Sequence, residues 1–395
     1  MASPTKPTFK QIRPNRHVVA GLFAGIGGLE KGLAASGHHT ELLCEIDPLA
    51  RAVLAARFPG IRVHDDICTL ESLPRRVDLL AGGFPCQDLS QAGRTAGITG
   101  ARSGLVGEVF RLLSVRPVKN VLLENVPFML QLAGGHAMEV ILRSFEELGY
   151  RWAYRVVDAR SFGLPQRRQR VFFLAMLEGD PRDVLFADDA GVPEVVDYGE
   201  PIAFGFYWTE GIKGLGWAAN AVPTLKGGST VGVPSPPAVW LPSGEIVTIG
   251  LRDAERLQGF PADWTLPAES VGRRSMRWKL VGNAVSVPVT KWLGRRLARP
   301  GCFQERNVMP LFPGGRWPTV AWNVGEGRFT TELSMWPVRR EAKLLHEFIT
   351  ETEPLSPRAT AGFLSRTRKS SLRFAPGFLE AVRRHLERVT LPVAS

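Results

Sequence analysis

The stretch HVVAGLFAGIGGLEKGL (residues 17–33) sets an apolar run among four glycines, Gly21, Gly25, Gly27 and Gly28. The apolar run predicts a buried strand and the spacing after it predicts a helix, so the last three glycines fall on the turn between them. Backbone N–H groups can approach a ligand closely at such a turn, because glycine has no Cβ. The turn could bind a dinucleotide, bind an adenosyl cofactor, or serve only for tight packing.

Short apolar runs alternate with segments of helical spacing from residue 17 to residue 176. This alternation predicts an α/β fold of β-α-β units around a mostly parallel sheet. The candidate strands are residues 17–23, 40–46, 77–84, 120–126 and 170–176. The candidate helices are residues 28–36, 48–57, 107–114, 134–148, 251–258, 289–297, 338–350 and 376–389, with a further short helix after Ser356 and Pro357.

Acidic residues follow the second candidate strand and precede the third apolar segment. Glu45 ends the second strand about 20 residues after the glycine turn, where related folds place a carboxylate on ribose hydroxyls. Asp66, followed by Ile67, is suited to an exocyclic amine of adenine, although a solvated turn carboxylate is an equal alternative.

A cysteine follows the next apolar strand in LLAGGFPCQDLS (residues 79–90). The glycines and Pro85 place Cys86 on a tight loop at the carboxyl end of that strand, where open α/β sheets bind ligands. An isolated cysteine is more often a buried structural residue, but the Phe-Pro-Cys-Gln context favours a functional thiol.

Charged residues interrupt two later apolar segments. Glu124 ends an apolar strand, where a carboxylate is costly unless it binds something. Gln166, Arg168 and Arg170 alternate as they enter a strand, so we expect their side chains to share one face. Such a basic row could be a solvated edge, but the apolar VFFLAM that follows favours the wall of a site.

These motifs together resemble the cytosine-5 DNA methyltransferase family of the bacterial, restriction-modification kind. The resemblance spans Val18 to Leu297 and follows the family's motif order: FAGIGG (23–28), GFPCQ (83–87), ENV (124–126), QRRQR (166–170), RLQGFP (256–261) and GNAV (282–285). It implies a Rossmann-like, S-adenosylmethionine-dependent methyltransferase domain that acts on a cytosine flipped out of double-stranded DNA.

The resemblance also implies roles for individual residues. Cys86 is expected to add covalently to carbon 6 of cytosine, Glu124 to hold N3 and the exocyclic amine, and Arg168 and Arg170 to steady the base. The residues expected to bind S-adenosylmethionine are Phe23, Ala24, Gly25, Ile26, Gly28, Glu45, Ile46, Asp66, Ile67, Pro85, Leu105, Asn283 and Ala284.

DNA contacts are expected in two regions, and also at Gln166. The loop from Gln87 to Gly104 is polar and glycine-rich, as expected of a lid that closes over flipped DNA. TLKGGST (224–230) resembles the family's Thr-Leu element in the region that recognises the target. The residues expected to bind DNA are Ser90, Gln91, Arg94, Arg102, Gln166, Lys226, Ser229 and Thr230.

The domain organisation is predicted from changes in composition. Residues 17–176 form the first part of the catalytic domain, residues 177–250 a small loop-rich or β target-recognition domain, and residues 251–299 return to the catalytic domain. Residues 300–395 form a C-terminal extension. Its basic residues could contact phosphates, or the extension could pack as a scaffold through its Trp and Phe residues.

Bulk properties agree with a nucleic-acid partner. The 395 residues carry 49 Lys and Arg against 38 Asp and Glu, a net charge of +11. The four cysteines form no C-x-x-C pair, so no metal site and no disulfide framework is expected. The polar N-terminus and the absence of a long apolar run predict a cytoplasmic protein. We further expect a monomer, with a cognate restriction endonuclease as a possible partner.

Three other classes of function share some of these features. A tRNA cytosine methyltransferase has the same core motifs, but the extra module and the C-terminal region favour DNA. A non-catalytic DNA-binding relative would have lost Cys86 or Glu124, and both are present. A nicotinamide oxidoreductase could share the glycine turn, but it has no use for GFPCQ, ENV and QRRQR together.

Overall fold

The structure is a computed structural model that describes residues 14–85, 104–193, 201–228, 236–312, 314 and 316–391. Its strands, in chain order, are β1 (Val18–Leu22), β2 (His39–Cys44), β3 (Arg62–His64), β4 (Leu79–Gly83), β5 (Asn120–Asn125), β6 (Arg151–Asp158), β7 (Gln166–Arg167), β8 (Gln169–Met176), β9 (Phe204–Phe206), β10 (Ala218–Ala219), β11 (Val222–Pro223), β12 (Ala238–Trp240), β13 (Ile246–Ile249), β14 (Met309–Pro310), β15 (Val320–Asn323), β16 (Phe329–Thr330) and β17 (Thr352–Pro354).

The α-helices of the same residues are α1 (Gly28–Ala34), α2 (Pro48–Arg57), α3 (Leu105–Val115), α4 (His136–Glu147), α5 (Arg182–Leu185), α6 (Leu251–Leu257), α7 (Arg277–Asn283), α8 (Val287–Ala298), α9 (Leu345–Phe348), α10 (Pro357–Thr367) and α11 (Phe378–Thr390). No helix in the described ranges combines the length and apolarity that crossing a bilayer requires.

A ten-stranded mixed sheet organises the larger lobe, in the order β14-β16-β15-β6-β8-β5-β4-β1-β2-β3. The strands from β5 to β3 pair in parallel, which confirms the predicted β-α-β start of the chain. The other half pairs antiparallel. Strand order reverses between β1 and β4, and open α/β sheets bind ligands at the carboxyl ends of strands around such a switch point.

Helices cover both faces of this sheet and complete its core. α3 and α4 pack on one face, where Phe110 and Phe145 meet edge to face at 5.1 Å. α1 and α8 pack on the other face through residues such as Leu33 and Trp292. The predicted return of residues 251–299 to the catalytic domain therefore takes the form of α8 lying against α1.

A second, antiparallel sheet forms the smaller lobe, in the order β10-β9-β12-β13-β17. Four of its strands come from the predicted target-recognition segment. The fifth, β17, comes from the C-terminal extension and pairs with β13. α10 and α11 cover this sheet, with Phe206, Phe363 and Phe378 buried between them.

The C-terminal extension adds strands to both sheets and does not fold apart from the two lobes. Residues 309–330 add strands to the large sheet beside β6, and residues 345–391 join the small lobe. The extension thus packs against both lobes.

The predicted helix at residues 338–350 is wrong except for α9. The residues before α9 have no regular secondary structure, and their backbone groups form hydrogen bonds with Ser161. Val338 N donates to Ser161 Oγ at 3.2 Å, and Arg340 N donates to Ser161 O at 3.1 Å. Ser161 Oγ also donates to Val338 O, a carbonyl that a helix would have paired with a backbone N–H four residues later.

The contact of α1 with α8 predicts a strong requirement for a small residue at position 32. A Cβ on Gly32 would overlap Thr290 Oγ1 and lie 2.7 Å from Lys291 N, so Gly32→Ala should lower the free energy of unfolding by about 1–3 kcal/mol. Urea denaturation followed by circular dichroism measures the change.

The matched control is Gly362→Ala, another glycine within a helix. A Cβ there lies no closer than 3.4 Å to Arg366 Nη1, so this change should leave stability equal or raise it by up to ~1 kcal/mol. Equal destabilisation of the two variants would contradict the requirement.

Candidate active site

The predicted site residues follow the carboxyl ends of neighbouring parallel strands. The glycine turn follows β1, Glu45 follows β2, Phe84 and Pro85 follow β4, and Glu124 ends β5. Because β2, β1, β4 and β5 are adjacent in the sheet, these ends lie at one edge. The structure thus brings these predicted residues together at one edge of the sheet.

The glycine turn after β1 has the left-handed backbone that the sequence indicates. Phe23, Gly25 and Gly27 have φ angles of 52°, 55° and 82°, and Gly27 is the N-cap of α1. A Cβ on Gly25 would meet no described atom within 4 Å, whereas one on Gly28 would overlap Val285 O. The turn is thus open towards Gly25 and closed behind by the segment that returns to the domain.

A tryptophan from the return segment supports the turn from behind. Trp264 Nε1 donates to Ile26 O at 2.9 Å, and its indole is 8% exposed. Lys31 Nζ lies 4.4 Å from the centre of the same ring. This support was not expected from the sequence, because nothing local to Trp264 shows that it reaches a turn 238 residues away.

Glu45 folds over the glycine turn. Its Oε2 accepts from Gly25 N at 2.7 Å and its Oε1 accepts from Asp47 N at 2.8 Å. Burial raises the pKa of Glu45, although these two hydrogen bonds oppose the rise. Each oxygen keeps a lone pair for a ligand hydroxyl.

The neighbouring side chains fit an adenosyl group. Ile46 is an exposed apolar residue, 68% accessible, directly after Glu45. Asp66 is the N-cap of a 3-10 helix at Ile67–Thr69, and its Oδ1 accepts from Cys68 N at 2.9 Å. An apolar surface beside two carboxylates at the sheet edge suits a purine ring with an amine and a ribose with hydroxyls.

Glu124 and Arg170 form a buried ion pair at the end of β5. Arg170 Nε lies 2.8 Å from Glu124 Oε1, with both side chains at most 13% exposed. Burial raises the pKa of Glu124, although Arg170 and Arg168 oppose the rise.

Arg168 is a buried residue that organises loops around the pair. Its guanidinium donates to three carbonyls, Ala284 O at 2.6 Å, Gly282 O at 3.2 Å and Leu225 O at 3.3 Å. Burial lowers its pKa well below the usual value. Arg168 therefore holds the GNAV segment and the Thr-Leu element together, and this structure supports a positioning role for it.

Gln166 does not face solvent, contrary to the expectation that it binds DNA. Its side chain is fully buried, with Nε2 donating to Leu257 O at 2.8 Å and Oε1 accepting from Leu225 N at 3.1 Å. These bonds use both ends of the amide. Gln166 instead fixes β7, which pairs in parallel with β11 of the target-recognition segment.

The other predicted residues divide between described and undescribed positions. Asn283 and Lys226 are exposed, Ala284 is buried, Pro85 is exposed and Leu105 begins α3. Cys86 and the predicted DNA-binding residues Ser90, Gln91, Arg94, Arg102, Ser229 and Thr230 lie outside the described residues.

A buried carboxylate beneath the glycine turn was not predicted. Glu30 on α1 is fully buried, and neither of its oxygens has a hydrogen-bond partner among the described residues. Burial, with a smaller contribution from Glu45, raises its pKa to about 8. A Cβ at Gly21 would overlap Glu30 Oε1, so the strand approaches this carboxyl group closely.

Glu30 predicts a measurable dependence of stability on pH. Its folded-state pKa lies above the ordinary value of 4.5, so its contribution is fully present below that value and is lost as pH rises towards 8. Glu30→Gln should match the wild type near pH 5 and exceed its free energy of unfolding by about 2–4 kcal/mol near pH 8. Urea titrations at both pH values test this.

The control for that experiment is Glu326→Gln, which changes an exposed carboxylate. It should follow the wild type at both pH values. A Glu30→Gln curve parallel to that of the wild type would show that Glu30 does not hold its proton.

The chain is similar to known methyltransferases over most of its length. A model of the family "C-5 cytosine-specific DNA methylase" matches residues 18–196 and 206–299. Type II methyltransferase M2.BsuMI of Bacillus subtilis strain 168 is 48% identical over 390 residues, which cover 94% of this chain and 98% of that protein. Type II methyltransferase M.BsuFI of Bacillus subtilis is 29% identical over 342 residues, covering 76% and 75%.

Solved structures show the same fold. Spodoptera frugiperda DNMT2 and Schizosaccharomyces pombe Dnmt2 each superpose with a TM-score of 0.50, at 15% and 18% identity. They cover 71% and 72% of this chain, and 99% and 98% of their own chains are matched. At these identities the similarity concerns the fold alone. The family match, together with the 48% identical relative, shows that the chain belongs to the C-5 cytosine-specific DNA methylase family.

Proposed function

We propose that this enzyme methylates carbon 5 of a cytosine rotated out of double-stranded DNA, using S-adenosylmethionine and a transient covalent bond from Cys86. We further propose that it is the modification enzyme of a type II restriction-modification system, because the 48% identical relative is a type II methyltransferase and the match covers nearly all of both chains.

The observation that carries the proposal is the position of Glu124 beside the strand that leads to Cys86. Glu124 Oε2 lies 3.0 Å from where a Cβ on Gly83 would be, and Gly83 is three residues before Cys86. β4 and β5 pair here, Gly83 opposite Glu124. A base bound against Glu124 therefore lies next to the start of the Cys86 loop.

The chemistry follows from the charge that the ring must accept. The Cys86 thiolate adds to carbon 6, the carbon 5–carbon 6 π electrons form a carbon 4–carbon 5 double bond, and the carbon 4–N3 π electrons move to N3, which takes a proton. Glu124 is suited to supply that proton, because its raised pKa keeps it protonated at higher pH than an ordinary carboxyl group. Arg170 then stabilises the Glu124 carboxylate that remains.

Carbon 5 becomes nucleophilic once the thiolate has added. S-adenosylmethionine, when bound, supplies the electrophilic methyl group. Afterwards carbon 5 loses its proton to water, the sulfur–carbon 6 bond breaks, and the N3 proton returns to Glu124. Cys86 is thereby regenerated as a thiolate.

The residues that fit the cofactor are those around the glycine turn. Glu45 would accept hydrogen bonds from the ribose hydroxyls, Ile46 would contact the adenine ring, and Asp66 would accept from its amine. The open space at Gly25 leaves room for the remainder of the molecule. Arg168 would act indirectly, by holding the Asn283 segment at this edge.

Cys86→Ser should abolish methylation of plasmid DNA in cells that express the protein, because a serine hydroxyl is a far weaker nucleophile than a thiolate. Bisulfite sequencing should show protected cytosines in one recurring sequence for the wild type and none for the variant. Cys302→Ser, which changes an exposed cysteine beyond the family match, is the control and should retain protection.

Two outcomes would contradict the proposal. Protection that persists in Cys86→Ser would remove the covalent mechanism. A wild type that protects no DNA but labels transfer RNA would move the substrate to RNA.

Glu124→Gln should lower the rate of methyl transfer by about 10²–10⁴-fold, since the amide cannot supply the proton. DNA affinity should change by less than ~threefold, which separates a chemical defect from loss of binding. Tritium transfer and fluorescence anisotropy measure the two quantities. Glu71→Gln, at an exposed carboxylate, is the control. A Glu124→Gln rate within about twofold of the wild type would rule out the proton-holding role.

A further inference from the structure

We propose that the turn between α10 and α11 in the C-terminal extension binds DNA backbone phosphates and so lengthens the DNA-contacting surface of the small lobe. We call residues 368–373 the basic turn. Its charged residues are Arg368, Lys369 and Arg373. This inference rests on the proposed function, because it needs DNA at the site. It goes beyond that function, because the family match ends at residue 299.

The surface begins at the candidate active site. A Cβ on Gly227 would lie 3.2 Å from Asn283 Cγ, so the Thr-Leu element lies against the GNAV segment. The next exposed side chain outward is Lys226. Its Nζ pairs with Glu210 Oε1 and lies 3.8 Å from the centre of the Tyr207 ring. The Lys226 side chain therefore connects Glu210 to the Thr-Leu element at the edge of the candidate active site.

The basic turn is fixed to the loop that carries Glu210. Arg366 Nε donates to Glu210 O at 3.0 Å, and Arg366 Nη2 donates to Trp208 O at 2.6 Å. Ser370 Oγ donates to Ile212 O at 3.0 Å. These bonds lie on both sides of Arg368 and Lys369, so the turn is held directly beside the loop that contacts Lys226.

The cations of the basic turn are not neutralised by pairing. Arg368, Lys369 and Arg373 are exposed, and none forms an ion pair with another described residue; the same holds for Lys213 on the adjacent loop. Glu210 is already paired with Lys226. Glu387 lines the groove between α10 and α11 together with Arg368 and Arg383, and it is the carboxylate of that groove.

Packing does not explain these charges. The contacts that join α10 and α11 to the small sheet are made by apolar residues such as Phe363 and Phe378. The polar groups of Arg366 and Ser370 already donate to backbone carbonyls of the loop that carries Glu210. Three exposed cations without an ion pair among the described residues, on a turn tied to the loop beside Lys226, suit the phosphates of a duplex that extends from the target base.

The test compares two double variants that each remove two exposed charges. Arg368→Gln with Lys369→Gln alters the basic turn. Arg75→Gln with Arg76→Gln is the control, because these exposed residues precede β4 and so lie at the amino end of the strands, opposite the site. Binding of a fluorescent double-stranded DNA to the full-length protein is measured by anisotropy over a range of salt concentrations.

Each lost phosphate contact should reduce the slope of log affinity against log salt by about 0.9. The basic-turn variant should therefore lose about 1–2 from the wild-type slope, and the control should keep it. The rate of methyl transfer at saturating DNA should not change, because the turn does not contact the reacting base. A wild-type slope in the basic-turn variant, or an equal loss in the control, would overturn the inference.

The same experiment separates this inference from the proposed function. If the wild type methylates DNA and the basic-turn variant keeps the wild-type slope, the inference alone is wrong. If the wild type binds DNA with a slope that the variant reduces but methylates no cytosine, the proposed function is wrong and the phosphate contact stands. If the wild type binds no DNA, both are wrong.

Discussion

The carbonyl of Val285 lies against Gly28, and the arrangement of the site depends on this contact. A Cβ at position 28 would overlap that oxygen, so only glycine allows the return segment to close the back of the glycine turn. The neighbouring carbonyl, Ala284 O, accepts a hydrogen bond from Arg168 Nη2. Arg168 in turn reaches Leu225 of the target-recognition segment. One close backbone approach thus links the glycine turn, the QRRQR segment and the Thr-Leu element.

Buried charge is concentrated at this junction. Glu124 and Arg170 pair away from water, and Glu30 lies unpaired beneath the turn. Burial moves the pKa of both carboxyl groups upward, so each favours its protonated form more than an exposed carboxyl group does. For Glu124 the result is a carboxyl group that accepts a proton more readily than an exposed one, although Arg170 opposes this. For Glu30 it is a neutral carboxyl group in a place where a carboxylate would be strongly destabilising.

The C-terminal extension shows why sequence periodicity misled in one region and not in others. Residues 357–367 and 378–390 form helices close to those expected, since each carries an apolar face that packs on the small sheet. Residues 338–344 have helical spacing too, but they form no helix. Val338 N and Arg340 N donate hydrogen bonds to Ser161, which holds the segment in an irregular conformation. The same extension adds strands to both sheets. Pairing of strands so distant in the chain leaves no local pattern to read.

The sequence by itself determined the β-α-β start of the fold, the glycine turn, the carboxylates at strand ends and the order of motifs, because each depends on local spacing and residue type. It did not determine which polar residues face the ligand. Gln166 and Arg168 alternate with Arg170 in the sequence, yet their side chains are buried. They form hydrogen bonds with the target-recognition and return segments and do not face the ligand edge. Only the tertiary structure decided that, since burial and hydrogen-bond partners depend on segments that lie far away in the chain and close in space.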